Sequence, residues 1–134
     1  MNDTIFGKII RGEIPATRVY EDEQFLAFMD INPVNKGHTL LIPKEHYTWI
    51  HDVPSPLVGE IFIKAKEIIE AMRKGLGCDY VQVGVVGNEV PHFHIHLIPR
   101  KLTDPVGITT RPYVPYENPE ELTIYASKIA TALK

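Results

Sequence analysis

The stretch His92-Phe93-His94-Ile95-His96-Leu97-Ile98 places three of the chain's six histidines at every second position. On a β-strand, successive side chains point to opposite faces. His92, His94 and His96 would line one face, and Phe93, Ile95 and Leu97 the other. The apolar face suits a core. The polar face presents imidazoles roughly 7 Å apart. A helix would scatter the three, and the β-branched and aromatic fillers favour a strand. Titratable groups clustered at strict alternation mark a site rather than a solvated face. Two chemistries are open. One is metal ligation, imidazole being the commonest protein ligand. The other is a phosphate site, where one imidazole attacks phosphorus and its neighbours hold the oxygens.

The segments on either side supply a sheet for this strand. Tyr80 to Val86 reads as a fourth strand, Gly87-Asn88-Glu89 as a tight connection, and Val90 to Pro99 as the fifth strand carrying the histidines. Strands joined so briefly pair antiparallel. The turn before the row can also aim backbone N–H groups at an oxyanion. Upstream, Arg18 to Glu21 and Gln24 to Met29 form a hairpin around Asp22-Glu23, and His38 to Ile42 is a third strand ended by Pro43. The loop from Asp30 to Gly37 is rich in turn formers. Lys44 to Asp52 reads as irregular or a single helical turn, with His46 and His51 at the surface.

Three helices complete the pattern. Ile5, Phe6, Ile9 and Ile10 make a short apolar stripe that Asp3 can cap. Ser55-Pro56 opens the main helix as N-cap and first position. There, Leu57, Ile61, Ala65, Ile68, Ile69, Met72 and Leu76 follow a 3.6-residue rhythm, supported by Glu60 with Lys64 and Glu70 with Lys74. Lys101 to Glu117 reads as an extended, irregular tail. Asn118-Pro119-Glu120-Glu121 then starts a C-terminal helix with Leu122, Tyr125, Ala126, Ile129 and Leu133 on its apolar face. Five strands, mostly antiparallel, with one long helix and a C-terminal helix make an α+β domain.

At 134 residues, 44% hydrophobic and 23% charged, the chain has the composition of one soluble globular domain. No apolar run reaches membrane length and no signal-peptide pattern opens the chain, so the expectation is a cytoplasmic protein without membrane contact. The one cysteine, Cys78, excludes an intrachain disulfide and a multi-cysteine zinc site. A formal charge of −3 argues against a general nucleic-acid binder, while a nucleotide ligand stays compatible with local donors.

Spacing favours phosphate over metal. Three imidazoles on one flat face cannot easily converge on one tetrahedral ion. Two could, with a third ligand from elsewhere such as His38. A phosphorus centre is larger and suits a nucleophile flanked by donors. Neutral imidazole attacks through one nitrogen while the other donates the hydrogen bond that sets the tautomer.

The row from His92 to Ile98 resembles the signature of the histidine triad (HIT) superfamily. Ile5 to Ile10, Gly12 to Ala16, Val19 to Asp22, Leu26 to Pro33 and Gly37 to His46 resemble its nucleotide-binding branch, in order, over residues 4–101. The resemblance implies a HIT domain over 4–101, residues 102–134 forming an extension with a helix packed on it. It also implies a homodimer that joins two sheets, a purine nucleotide ligand, and hydrolysis at the α-phosphate without metal or other cofactor. His94 corresponds to the nucleophile that carries a nucleotidyl-imidazole. His92 would orient it, His96 would contact phosphate oxygens, and His38 matches a fourth site histidine. Asp30 matches the carboxylate on the ribose hydroxyls, and Ile5, Phe6, Ile9, Phe28 and Ile31 match the pocket for the base. One region departs from the pattern. Many relatives carry a longer glycine-rich loop, with Gln where Asn88 stands and a hydroxyl where Glu89 stands. Asn88 can still donate to phosphate, whereas ionised Glu89 cannot. The activity implied is hydrolysis of purine nucleoside phosphoramidates or related nucleotide conjugates, that of a nucleoside phosphoramidase. The alternatives are a dinucleoside polyphosphate hydrolase or a nucleotide-binding interaction module with little activity.

Overall fold

The computed structural model describes residues 3–104 and 114–134. The strands are β1 (Arg18–Glu21), β2 (Phe25–Met29), β3 (Thr39–Pro43), β4 (Tyr80–Gly84) and β5 (Ile95–Arg100). The α-helices are α1 (Ile5–Ile10), α2 (Ser55–Leu76) and α3 (Pro119–Ala132). The strands form one sheet in the order β1-β2-β3-β5-β4, with every pairing antiparallel. This is the expected α+β architecture. Among the described residues no helix is long and apolar enough to cross a membrane.

β2 and β3 are buried along their whole length, so their side chains alternate between two apolar layers rather than between core and water. On one face Phe25, Ala27, Met29 and Leu41 meet Ile61, Ala65, Ile68 and Met72 of α2 and Ile129 of α3. On the other, Leu26, Phe28, Leu40 and Ile42 enclose Phe6 and Ile9 of α1. Phe93, Ile95 and Leu97 belong to the α2 layer, which turns the intervening imidazoles toward the α1 side. Each such burial is worth about 1.5–3 kcal/mol.

The histidine row is only partly strand. β5 begins at Ile95 instead of Val90, and the connection from Gly84 is longer than the three-residue turn expected. His92 N–H donates to the Val90 carbonyl at 2.8 Å and Phe93 N–H to the Tyr47 carbonyl at 2.6 Å. Those bonds draw residues 92–94 out of the ladder, while the alternation of faces persists. Pairing of β4 with β5 is antiparallel as expected, with Gly84 opposite His96.

Smaller expectations shift by a residue or a partner. The α1 cap is Thr4, whose Oγ1 accepts from Gly7 N–H at 3.0 Å, in place of Asp3. The α2 cap position is Pro54 and Ser55 is already helical, because the Pro54 carbonyl accepts from Leu57 and Val58. The α2 ion pairs are Lys64–Glu67 and Lys66–Glu70, in place of Glu60–Lys64 and Glu70–Lys74. Glu60 accepts from Gln24 instead. The Lys44–Asp52 connection ends in one 3-10 turn, Ile50–Asp52.

α3 starts as expected, with the Asn118 side chain accepting from Glu121 N–H at 2.8 Å. It lies close on α2: a Cβ at Gly75 would press into the Lys128 carbonyl. Three bonds anchor the loop after β2 to the C-terminal segment, one of them from Val114 N–H to the Pro33 carbonyl at 2.9 Å. Gly37 N–H donates to the Tyr116 hydroxyl at 2.8 Å, and Lys36 pairs with Glu121 at 2.9 Å. The irregular tail expected over Lys101 to Glu117 falls in part on residues 105–113, outside the described residues.

Candidate active site

On the α1 side of the sheet, where β3 and β5 meet the loops after β2 and β4, lies a cavity of about 380 Å³. His94 and His96 line it with His38 and Asp30, and Val86 to Glu89 close one side. His92, fully buried, stands behind the cavity.

Each imidazole has its proton placed by a fixed partner. His94 Nδ1–H donates to the His92 carbonyl at 2.7 Å, which leaves Nε2 with a free lone pair. His92 Nε2–H donates to the Pro43 carbonyl at 2.8 Å and holds that carbonyl-bearing segment against β3. Val34 N–H donates to His38 Nδ1 at 3.1 Å, so the His38 proton sits on Nε2. That proton faces His96 Nδ1 at 3.0 Å, and His96 in turn keeps its own proton on Nε2. The His94 and His96 rings lie 4.9 Å apart, edge to face. A nucleophilic nitrogen and an N–H donor therefore stand side by side. Phe6 packs against His94 and His92, its ring 5.0 Å from that of His94 and 6.1 Å from that of His92.

Burial keeps these rings neutral. It pushes His92 and His96 down to about 4 and His38 to about 3, neighbouring imidazoles adding to the effect. His94 is lowered by the same burial, against the opposing pull of its bond to the His92 carbonyl and of the Glu89 charge. Asp30 is raised, first by burial and then by Glu89, against the Asn32 N–H donated to its Oδ1 at 2.9 Å.

Asp30, His38 and His96 offer three ligand atoms within 4.8 Å of one another, a metal-sized cluster. The same imidazole nitrogens are engaged in hydrogen bonds. With Val34 N–H on Nδ1, His38 carries its proton on Nε2, the nitrogen that an ion would need. Binding there would require an imidazolate. His38 Nε2–H is given to His96 Nδ1 at 3.0 Å, and Asp30 Oδ2 lies 3.7 Å from the same nitrogen, beyond hydrogen-bond reach.

Of the residues expected to meet a nucleotide, Asp30, Asn88, His94, His96 and His38 converge on the cavity. The apolar set does not line it. Phe6, Ile9 and Phe28 are buried among Leu26, Leu40 and Ile42, while Ile5 and Ile31 are 48% and 74% exposed. Two contributors escaped the sequence reading. Val34 acts through its backbone N–H, which leaves no residue-type signal. His46, expected at the surface, is exposed, yet its Nε2–H donates to the Pro91 carbonyl at 2.8 Å and its ring lies 5.3 Å from that of His92.

Comparison with known proteins agrees with this fold. The HIT domain family model matches residues 11–103. A HIT-like protein of Methanocaldococcus jannaschii is 48% identical over 101 residues, 72% of this chain and 78% of that one. The adenylylsulfatase HINT3 of Arabidopsis thaliana is 41% identical over 108 residues, 77% of this chain and 55% of its own. The adenosine 5′-monophosphoramidase HNT1 of Saccharomyces cerevisiae is 38% identical over 98 residues, 72% of this chain and 62% of its own. Among solved structures, a Hit-like protein from Bartonella henselae superposes with a TM-score of 0.85 at 34% identity, covering 98% of this chain and 97% of that one.

Proposed function

Because the chain belongs to the HIT domain family, we propose that it is a nucleotide-binding hydrolase that cleaves purine nucleoside phosphoramidates at the α-phosphate. His94 Nε2 attacks phosphorus as the P–N bond breaks, and the leaving nitrogen departs as an amine after taking a proton from solvent. Water then attacks the nucleotidyl-imidazole. The P–Nε2 bond breaks, the imidazole regains its lone pair, and one water proton is released with the nucleoside monophosphate.

The observation that carries this reading is the His94 Nδ1–H bond to the His92 carbonyl, which aims an unprotonated Nε2 into the cavity. His96 Nε2–H and the Asn88 amide serve as neutral donors to the phosphate oxygens. Asp30 accepts from the ribose hydroxyls, and of the apolar set the exposed Ile5 and Ile31 are the two accessible to the base. No step in this sequence calls on a metal.

The same reading takes the protein as a homodimer. β4 is an edge strand with Tyr80 and Val83 exposed, and Phe62 and Ile63 are exposed on α2. An apolar sheet edge of this kind suits pairing with a second copy.

The test is a panel of adenosine conjugates assayed with mass detection of an adenylyl adduct. His94→Ala is expected to abolish turnover and adduct while adenosine monophosphate still binds. Full activity in that variant would overturn the assignment.

A further inference from the structure

Every donor the described cavity offers to a phosphate is uncharged: the His96 N–H, the Asn88 and Asn32 amides and backbone N–H groups. Two carboxylates, Asp30 and Glu89, line the same cavity, and among the described residues no Lys or Arg does. An α-phosphate fits there as a hydrogen-bonded anion, whereas a leaving group with further negative charge meets Glu89 without a counterion.

Glu89 also lines a neighbouring cleft of about 390 Å³, together with Asp3, Thr4, Ile5, His46 and Pro91. It thus stands between the cavity that holds the nucleophile and an open cleft beside it. The cleft carries a second carboxylate, Asp3, and again no Lys or Arg among its described lining. Arg11, which feels the charge of Asp3, is paired with Glu13. Glu89 is exposed, and its negative charge is felt at both Asp30 and His94. A chain leaving phosphorus toward this cleft runs past two carboxylates.

We propose that Glu89, backed by Asp3, selects conjugates whose leaving amine carries a second, positively charged group, and disfavours leaving groups that are acidic or polyphosphate. The selection rests on the reading that a P–N bond at the α-phosphate is cleaved, and it adds the chemical class of the amine. The covalent step is unchanged, and the leaving amine takes its proton from solvent as before. Glu89 distinguishes leaving groups by their distal charge; its field at His94 and Asp30 is common to all of them.

The experiment compares two adenosine 5′-phosphoramidates of matched length. One is made from ethylenediamine and ends in an ammonium; the other is made from β-alanine and ends in a carboxylate. The quantity read is the ratio of their kcat/KM values on one enzyme, in which effects on the shared adenylyl half cancel. An exposed charge pair changes binding about threefold, and here attraction for one probe adds to repulsion of the other. Wild type is therefore expected to favour the ammonium probe about tenfold. The preference should shrink with added salt, fall by about threefold in Glu89→Gln, and turn toward the carboxylate probe in Glu89→Lys. If both probes are cleaved at equal rates, or if the ratio is the same in all three proteins, the selection is wrong and the phosphoramidase reading survives. If neither probe is cleaved and no adduct forms on wild-type protein, the phosphoramidase reading falls and this inference falls with it.

Discussion

His38 Nε2 lies 3.0 Å from His96 Nδ1, and the Val34 N–H on the far side of the His38 ring decides which of the two nitrogens holds the proton. A backbone donor thus sets two tautomers in succession, and the second presents N–H to the cavity. His38→Ala removes the partner that keeps the proton on His96 Nε2. Losing one oxyanion donor outright costs roughly 10²–10³-fold in kcat. His96→Ala should approach that loss, and His38→Ala should lose less because the donor remains but its tautomer is free. Nitrogen NMR of His96 checks the cause: the Nε2-protonated form should dominate in wild type and give way to a mixture in His38→Ala. A single unchanged tautomer would refute the chain.

Acid should weaken the fold before it protonates the site. Burial holds His38, His92 and His96 far below their ordinary value of 6.5, at about 3, 4 and 4. As pH falls through 6.5 the unfolded chain binds protons that the folded chain refuses, so stability drops until the folded values are reached. Each group contributes a slope of about 1.4 kcal/mol per pH unit within that window. Asp30 works in the opposite sense: its raised carboxyl takes a proton earlier in the folded chain and offsets part of the loss at the acid end. Urea midpoints should therefore hold steady above pH 6.5 and decline from there toward pH 4. A flat profile over that interval would mean the rings are not buried neutral. Because His94 is also lowered, the acid limb of kcat/KM should lie below the usual histidine range.

His46 sits outside the row but on its supports. Its bond to the Pro91 carbonyl steadies the residue before His92, whose own carbonyl orients the nucleophile. A neutral hydrogen bond is worth about 1 kcal/mol, so His46→Ala should lower kcat about fivefold. KM for the unsubstituted adenosine 5′-phosphoramidate should change little, since His46 lines the neighbouring cleft and not the nucleophile's cavity. His46→Gln keeps a donor of similar reach and should recover much of the rate. A loss in KM alone, or no rescue by Gln, would remove His46 from this role.

Face alternation around the histidines was legible because it depends only on a period of two, which survives where the ladder does not. Phe93 still enters the α2 layer although it precedes β5. The start of β5 was hidden because the bond that sets it, Phe93 N–H to the Tyr47 carbonyl, joins backbone atoms far apart in sequence. Converging imidazoles were readable from residue type, whereas their tautomers depend on the Val34 amide and the Pro43 and His92 carbonyls, which any residue could supply. Ile31 resembles a pocket residue by motif, and its exposure of 74% follows from the course of a loop that local pattern does not encode.

Two glycines on α2 should answer the same substitution with opposite signs. Gly in a helix interior is less favourable than Ala by roughly 0.5–1 kcal/mol, because the unfolded chain loses more freedom on ordering. At Gly59 an added Cβ meets nothing within 4 Å, so Gly59→Ala should stabilise by about that amount. At Gly75 the added carbon would press into the Lys128 carbonyl, an atom of the α3 backbone that cannot turn aside as a side chain can. Relief requires α3 to shift on α2, and overpacking of this kind costs about 1–3 kcal/mol, enough to outweigh the helical gain. α3 begins at the Asn118 cap, next to Tyr116 and Glu121, which hold the loop bearing Asp30 and His38. Gly75→Ala should therefore also weaken binding of adenosine monophosphate modestly, while Gly59→Ala should leave it unchanged. Urea midpoints at one protein concentration, with a titration of the nucleotide, measure both effects. Stabilisation by Gly75→Ala would show that the two helices do not meet at this glycine.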